Sequence, residues 1–155
     1  MTAVEAIVPF DEAHRGQLAE LWQQVFGYTT PHNEANYAID KKLALGDGLL
    51  SVAVAEGKVV GSIMAGYDGH RGWIYSVAVM PGHRGRGLGS RLMRHAEEQL
   101  ASLGCPKINL QILQDNEGVE SFYRKLGYQT EMRVNMGKLI PKNIGRPGAG
   151  AATGV

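Results

Sequence analysis

The sequence predicts a single α+β domain built around one sheet, and two observations carry this prediction. The first is the length of 155 residues, which suits one ordinary domain and is enough to bury a sizeable core. The second is the order of the apolar patterns, because a period of two indicates strands and spacings of three and four indicate helices. These patterns follow one another as β-α-α-β-β-β-α-β-α-β, which is typical of a mixed fold.

The first strand is expected at Val4–Val8, a short apolar run that is followed by a proline. A helix begins after Asp11, which belongs to the residue types that cap helices, and Gly27 ends that helix. Its apolar stripe consists of Leu18, Leu21, Trp22, Val25 and Phe26. The second helix is expected near His32–Leu45, after a threonine and a first-turn proline.

Three strands are expected in the middle of the chain. Leu50–Val54 and Val59–Tyr67 flank a short turn and form a hairpin, and a glycine-rich turn then leads into Trp73–Val79. The alternation of this last strand places Trp73, Tyr75, Val77 and Val79 on one face and Ile74, Ala78 and Met80 on the other. Since both faces are rather apolar, the strand is expected at the centre of the sheet with cover on each side.

Two helices and two strands are expected in the second half. One helix carries apolar residues from Leu88 to Leu103 and stops at a glycine. Ile108–Ile112 marks the next strand, and Asn116 caps a short helix. Tyr128–Met136 alternates as a last strand. The single domain is therefore expected to end near residue 140, with residues 141–155 as a flexible tail rich in glycine, alanine and proline.

Composition limits the class of protein. With 44% hydrophobic and 20% charged residues the chain is typical of a globular protein, and a net charge of +1 argues against binding nucleic acid mainly through its phosphates. No apolar run approaches the roughly 18 residues of a membrane span, and Met1–Asp11 lacks the pattern of a secretory signal, so a cytoplasmic location is expected. The five histidines and the one cysteine show no metal-ligand spacing, so no metal is expected.

The segment Val77–Ser90 carries the clearest chemical signal. It combines the end of a strand, a glycine-rich turn and the start of a helix. Glycines let the backbone approach a bulky anion, and the free N–H groups of a first helical turn favour negative charge. Arg84 and Arg86 add positive charge at the same place, so the segment predicts a phosphate site, specifically for a pyrophosphate.

Glycine-rich segments of this kind have three other interpretations. The glycines could serve only tight turns, with the arginines there for solubility. A dinucleotide-binding loop needs the spacing G-x-G-x-x-G, whereas Gly85, Gly87 and Gly89 stand at every second position. A Walker loop needs a Gly-Lys-Ser/Thr end, which the segment lacks. A different binder of nucleotide phosphates is therefore disfavoured by the spacing.

Two motifs resemble those of the GNAT N-acetyltransferases. Arg84–Gly89 matches the Arg/Gln-x-x-Gly-x-Gly/Ala signature of that family, and Asn116 followed by Phe122–Tyr128 looks like its Asn…Phe-Tyr-x-x-x-Gly-Phe/Tyr segment. The resemblance spans roughly Val4 to Lys138. It implies a mixed central sheet of six to seven strands, flanked by about four helices, in which two central strands splay apart to admit acetyl-CoA.

The resemblance also implies the roles of individual residues. The pyrophosphate would sit on the amides of Arg84–Ser90, the pantetheine arm would pair with the fourth strand, and a backbone amide near Val79 would stabilise the oxyanion. Tyr123 would protonate the departing thiolate as general acid. The implied cosubstrate-binding residues are Val77, Ala78, Val79, Arg84, Gly85, Arg86, Gly87, Leu88, Gly89, Ser90, Asn116 and Tyr123.

The general base departs from the family pattern. Many relatives place a carboxylate on the fourth or fifth strand, and neither Trp73–Val79 nor Lys107–Leu113 holds an Asp or Glu. The proton would leave through water to Asp68, to Tyr75 or to bulk solvent, or the amine would arrive neutral. Asp68 is therefore a candidate base, and a turn residue is the alternative interpretation.

The resemblance further implies that the acceptor binds between the first two helices, in the region Tyr28–Tyr37. Glu34 and Asp40 are available there to attract an ammonium group. An amino acid, a polyamine, an aminoglycoside or a protein N-terminus would each fit this description. The expected function is acetyl transfer to a primary amine by direct attack, with a homodimer expected from family habit. The alternative is a non-catalytic module that binds acyl-CoA.

Overall fold

The computed structural model describes residues 4–113 and 117–144. Five strands and four α-helices lie in these ranges. The strands are β1 (Ala6–Pro9), β2 (Leu50–Ala55), β3 (Lys58–Tyr67), β4 (Gly72–Val79) and β5 (Ile108–Leu110). The helices are α1 (Arg15–Phe26), α2 (Ala35–Ala44), α3 (Leu88–Ser102) and α4 (Glu117–Lys125).

The strands form one mixed sheet in the order β1-β2-β3-β4-β5. The first three pairings are antiparallel. Short turns connect β2, β3 and β4, whereas α1 and α2 lie between β1 and β2 in the chain. The pairing of β4 with β5 is parallel and requires a crossover, which α3 provides. This crossover brings the glycine-rich segment to the end of a central strand.

Helices cover both faces of the sheet and bury two apolar clusters. Leu88, Leu92, Met93, Ala96 and Leu100 of α3 pack with Ala53, Ile63, Ala65 and Ile74 of the sheet. On the opposite face, Leu18, Leu21 and Trp22 of α1 and Ile39 of α2 pack with Leu50, Val52, Val59 and Ala78. The strands alternate between the two clusters, as the period of two predicts.

The expected number of strands is wrong: the described residues form five rather than the six to seven that the resemblance implies. The missing strand is Tyr128–Met136, which carries no strand pairing. This segment contacts β5 and the residue after it through side chains. Glu131 Oε1 accepts from Asn109 Nδ2 at 2.8 Å, and Asn135 Oδ1 accepts from Gln111 Nε2 at 2.7 Å. Alternation predicts burial only where the backbone enters a ladder, and Met132, Val134 and Met136 stay almost fully exposed.

The start of the second helix also differs from the prediction. The proline at position 31 begins a separate 3-10 turn, Pro31–Asn33, and α2 starts only at Ala35. The cap of α2 is Glu34, whose carboxylate accepts hydrogen bonds from the amides of Asn36 (3.1 Å) and Tyr37 (2.9 Å). The carboxylate occupies the N-terminal end of the helix, where the helix dipole favours negative charge.

The described chain ends against α2. Pro141–Asn143 form a 3-10 turn, and the Tyr37 hydroxyl donates a hydrogen bond to the Asn143 carbonyl oxygen. Residues 145–155, which make up most of the expected tail, lie outside the described residues, and the flexibility of the tail stays a prediction. None of the described helices has both the length and the apolar character needed to cross a membrane.

Candidate active site

The edge of β4 that faces β5 is paired only at its beginning. The parallel ladder joins Gly72, Trp73 and Ile74 to β5, and within the described residues it extends no further. The amide of Met80 donates to the Val60 carbonyl oxygen at 2.8 Å, on the β3 side. Because main-chain groups alternate along a strand, the N–H and C=O groups of Val79 point away from β3, and the C=O accepts a hydrogen bond from Nε of Arg84 at 3.0 Å.

A β-bulge interrupts β4 shortly before Val79. The register moves from Met64–Tyr75 to Ser62–Ala78, so Ser76 and Val77 together lie opposite one residue of β3. Ser76 has a φ of 53°, in the left-handed region that residues with a side chain rarely adopt.

The bulge moves side chains to the other face of the sheet. Val77 and Val79 pack on the α3 side together with Ile74, and Ala78 packs on the α1 side. The predicted grouping of Val77 and Val79 with Trp73 and Tyr75 is therefore wrong. One extra residue in the strand reverses the alternation beyond it.

Two buried side chains hold the bulge in place. The hydroxyl of Ser62 donates to the carbonyl oxygen of Ser76 at 2.8 Å, and the indole nitrogen of Trp22 donates to the Ser62 hydroxyl at 2.9 Å. Ser62 is fully buried and Trp22 is 2% exposed. A helix on one face of the sheet thus fixes the main-chain geometry of the central strand. The apolar stripe of α1 predicts a core position for Trp22, and no sequence pattern indicates its hydrogen bond.

The glycine-rich segment connects this strand end to α3. It forms a 3-10 turn, Pro81–His83, and then passes through Gly85 (φ 78°) and Gly87 (φ 82°), whose left-handed conformations require glycine. Gly87 is the N-cap of α3 and has no side chain that could cap the helix. Among residues 4–113 and 117–144, no side chain accepts a hydrogen bond from the first-turn amides of Leu88, Gly89 and Ser90, and free amides at a helix start favour an anion.

The two arginines of the segment are anchored to the protein. Arg84 donates from Nε to the Val79 carbonyl oxygen at 3.0 Å. Arg86 donates from one Nη to the Gly82 carbonyl oxygen at 3.3 Å and lies 2.7 Å from Nδ1 of His83. Their charges are where the sequence predicts them, and their side chains also fix the course of the loop. The buried carboxylate of Glu5 lies against the same loop, and no local sequence signal could have indicated it.

Helix α4 brings Tyr123 to this region. A Cβ added at Gly89 of α3 would lie 3.2 Å from the ring of Phe122, so the two helices touch at the glycine. The ring of Tyr123 stands edge-on to Phe122 and to Tyr128, with centroids 5.0 and 6.0 Å apart. Burial raises the pKa of Tyr123, so its hydroxyl stays protonated at neutral pH. Asn116, the other residue that the resemblance assigns to this helix, lies outside the described residues.

Asp68 has contacts of a turn residue. Its Oδ1 accepts hydrogen bonds from the amides of His70 and Arg71, both at 2.7 Å. These bonds, first that of Arg71 and then that of His70, lower the pKa of Asp68. Its charge contributes to raising the pKa of Tyr75, whose shift comes first from burial. A lowered pKa weakens a carboxylate as a base, and the base role of Asp68 stays a prediction.

A cavity of about 290 Å³ lies between α1 and the start of α2. Its lining includes Trp22, Tyr28 and the carboxylate residues Glu20 and Glu34. Glu34 thus lines the cavity and also caps α2, and its role toward the acceptor stays a prediction, whereas Asp40 is held in an ion pair with Arg15 at 2.7 Å. Glu20 was missed because helical periodicity places it among polar surface residues.

Comparisons with known proteins identify the family of the chain. The acetyltransferase (GNAT) family model matches residues 15–128. An acetyltransferase of Yersinia pestis is 42% identical over 110 residues, which are 71% of this chain and 78% of that protein. An acetyltransferase of Pectobacterium atrosepticum is 41% identical over 120 residues, which are 77% of this chain and 84% of that protein.

Solved structures show the same fold. A transcriptional regulator from Bacillus halodurans superposes with a TM-score of 0.73 at 22% identity, and the superposition covers 88% of this chain and 100% of the regulator chain. An aminoglycoside N-acetyltransferase in complex with CoA superposes with a TM-score of 0.72 at 18% identity, over 90% of this chain and 97% of that one. The family model and the relatives above 40% identity show that the chain belongs to the acetyltransferase (GNAT) family and is an acetyl-CoA-dependent N-acetyltransferase.

Proposed function

We propose that the chain transfers the acetyl group of acetyl-CoA to a primary amine by direct attack, with both substrates bound at once. One observation carries this proposal: the edge of β4 that is unpaired within the described residues leads through the glycine-rich loop to the N-terminus of α3, where Gly87 offers no side-chain cap. An extended pantetheine arm can pair with a strand edge, and a diphosphate can bind the amides at a helix start. Acetyl-CoA has both parts in that order.

The chemical step needs few groups from the protein. The amine nitrogen attacks the thioester carbon, and the oxygen of that carbonyl gains negative charge, which a main-chain amide near Val79 stabilises. The C–S bond then breaks, the electron pair stays on sulfur, and the thiolate takes the hydroxyl proton of Tyr123. The nitrogen gives its extra proton to water. Asp68 is the proposed acceptor beyond that water, and solvent is the alternative.

The acceptor site that we propose is the cavity between α1 and α2. Trp22 lines this cavity and also bonds to Ser62, which holds the bulge of β4, so the cavity and the strand share one side chain. Two carboxylates in the lining, Glu20 and Glu34, favour a molecule that carries positive charge. A cationic amine satisfies this requirement.

A thiol-release assay tests the function. The protein is incubated with acetyl-CoA and, one at a time, with an amino acid, a polyamine, an aminoglycoside and a peptide with a free N-terminus. We expect free thiol to appear in proportion to one or more of these amines, with the acetylated amine detected by mass. Binding of acetyl-CoA without amine-dependent release would favour the non-catalytic binding module instead.

A further inference from the structure

Glu5 is a buried acidic residue that the proposed reaction does not use. It precedes β1, and its side chain is 9% exposed. Its carboxylate meets three basic side chains: Oε1 lies 3.2 Å from Nδ1 of His83 and 3.5 Å from Nη2 of Arg86, and Oε2 accepts from Arg91 at 3.3 Å. Arg91 also donates to the carbonyl oxygen of Glu5 at 2.6 Å.

All three partners come from one short segment. His83 and Arg86 belong to the glycine-rich loop, and Arg91 follows the first turn of α3. Glu5 therefore ties the loop and the helix start to the edge of the sheet, from a position 78 residues earlier than its nearest partner in sequence. A carboxylate in this environment stays ionised, since a hydrogen bond with its own backbone and then the His83 ring lower the pKa of Glu5.

The charges of this cluster do not cancel. One carboxylate faces two guanidinium groups, so a positive excess remains beside the amides of Leu88, Gly89 and Ser90. Without Glu5, the guanidinium groups of Arg86 and Arg91 would repel each other, and the loop would lose its connection to β1. A carboxylate that is removed from such a network leaves its donors without an acceptor.

We propose that Glu5 is a positioning residue for the coenzyme diphosphate, acting through Arg86, Arg91 and the loop main chain. This inference rests on the proposed function, because it takes the loop as the diphosphate site. It predicts that Glu5 contributes to the use of acetyl-CoA and not to the chemical step. S-Acetyl-pantetheine has the same thioester and lacks the diphosphate, so it separates the two contributions.

The experiment compares wild type with Glu5→Gln, which keeps the shape of the side chain and removes its charge. We expect the KM for acetyl-CoA and the Kd for CoA to rise about tenfold, because a loss of this size is typical of one charge-assisted contact. We expect kcat at saturation, the KM for the amine and kcat/KM for S-acetyl-pantetheine to stay within about twofold of wild type, which is a smaller change than the loss of one such contact causes. Glu12→Gln, which breaks the exposed ion pair with Arg15, is the matched control and should change none of these values.

Two results would overturn the proposal. One is an equal loss with acetyl-CoA and S-acetyl-pantetheine, which means that Glu5 supports only the folded structure. The other is unchanged or tighter binding of CoA. If Glu5→Gln does not fold, Arg91→Ala replaces it, because the Arg91 side chain is 39% exposed and its loss should give the same selective effect. A wild type that does not bind CoA would contradict the proposed function itself, before any variant is compared.

Discussion

The indole nitrogen of Trp22 donates a 2.9 Å hydrogen bond to the hydroxyl oxygen of Ser62, and both side chains are buried. Because Ser62 in turn donates to the Ser76 carbonyl oxygen, α1 supports the one left-handed residue of β4. Strained backbone persists only where its surroundings hold it, and here the surroundings are two side chains.

The first prediction concerns this pair. Ser62→Ala should lower the free energy of unfolding by about 1–2 kcal/mol, since it leaves the indole N–H without an acceptor, and kcat should fall as the bulge loosens. Chemical denaturation and thiol-release kinetics measure the two effects. Ser51→Ala removes another buried serine, hydrogen-bonded to His95 at 3.2 Å on the opposite face, and serves as control. Stability should fall there without a fall in kcat, and an equal loss of kcat would contradict the prediction.

The second prediction concerns Tyr123. Tyr123→Phe removes the hydroxyl and keeps the ring in its aromatic contacts, so kcat should fall about 100-fold, as for loss of a general acid. The Kd for CoA, measured by calorimetry, should stay the same. Tyr67→Phe is the matched control, because the Tyr67 hydroxyl lies near Gly69 and Gly104, away from α4. Full activity of Tyr123→Phe with the preferred amine would rule out the acid role.

The third prediction concerns the cavity between α1 and α2, which we propose as the acceptor site. Glu20→Gln removes one negative charge from its lining and should raise the KM of a cationic amine about three- to fivefold, the size expected for a partly exposed ion pair. The increase should disappear at high salt, where exposed charges are screened. Glu98→Gln on the exposed side of α3 gives the comparison. Equal effects of the two variants would place the amine elsewhere.

The fourth prediction concerns two glycines with opposite surroundings. A Cβ at Gly61 would lie 3.1 Å from the Ala78 carbonyl oxygen, 3.2 Å from Leu92 and 3.3 Å from Ala53, whereas a Cβ at Gly16 of α1 meets nothing within 4 Å. Gly61→Ala should therefore destabilise the fold by about 1–3 kcal/mol. Gly16→Ala should stabilise it by about 0.5–1 kcal/mol, because alanine is the better helix former. Thermal unfolding measures both, and the same sign for both variants would show that these distances do not control the response.

The fifth prediction concerns Asp68 and pH. The folded state lowers the pKa of this carboxyl, so its ionised form stabilises the fold above about pH 4, and this stabilisation is lost as the pH falls through the folded-state pKa. Asp68→Asn does not ionise, so the stability difference between the two proteins should shrink from pH 6 to pH 2. Asp68 is the proposed proton acceptor and its pKa is lowered, so its loss should cost less than that of a full-strength base, and kcat/KM at neutral pH should fall about two- to tenfold. An unchanged kcat/KM would assign the proton to solvent instead.

Local patterns predicted most of the fold. Period-two alternation located β2, β3 and β4, and the glycine-rich segment located the start of α3, because both signals lie within a few consecutive residues. The prediction of a last strand at Tyr128–Met136 is wrong for a physical reason. Alternation does not specify a partner strand, and this segment contacts β5 and its flank through the side chains of Glu131 and Asn135.

The candidate site divides in the same way. The candidate anion site on the main chain was predicted from glycines at every second position, and Tyr123 was predicted from a motif in one helix. Glu5, Glu20 and the hydrogen bond between Trp22 and Ser62 depend on contacts between distant segments, which no periodicity records. The left-handed Ser76 was also missed, since a bulge adds one residue without changing the composition of its strand.

The bulge in β4 makes the number of residues between Trp73 and Pro81 a design constraint. Deleting Ser76 would restore plain alternation, and Val77 and Val79 would then point toward α1 while Ala78 would point toward α3. Two valines would then replace one alanine on the side of Trp22. On the side of α3 one alanine would replace the two valines, which would leave a cavity there. Anyone who grafts this strand into another scaffold must keep the extra residue of the bulge, because the parity of the strand, more than the identity of any one side chain, decides which side chains face which helix.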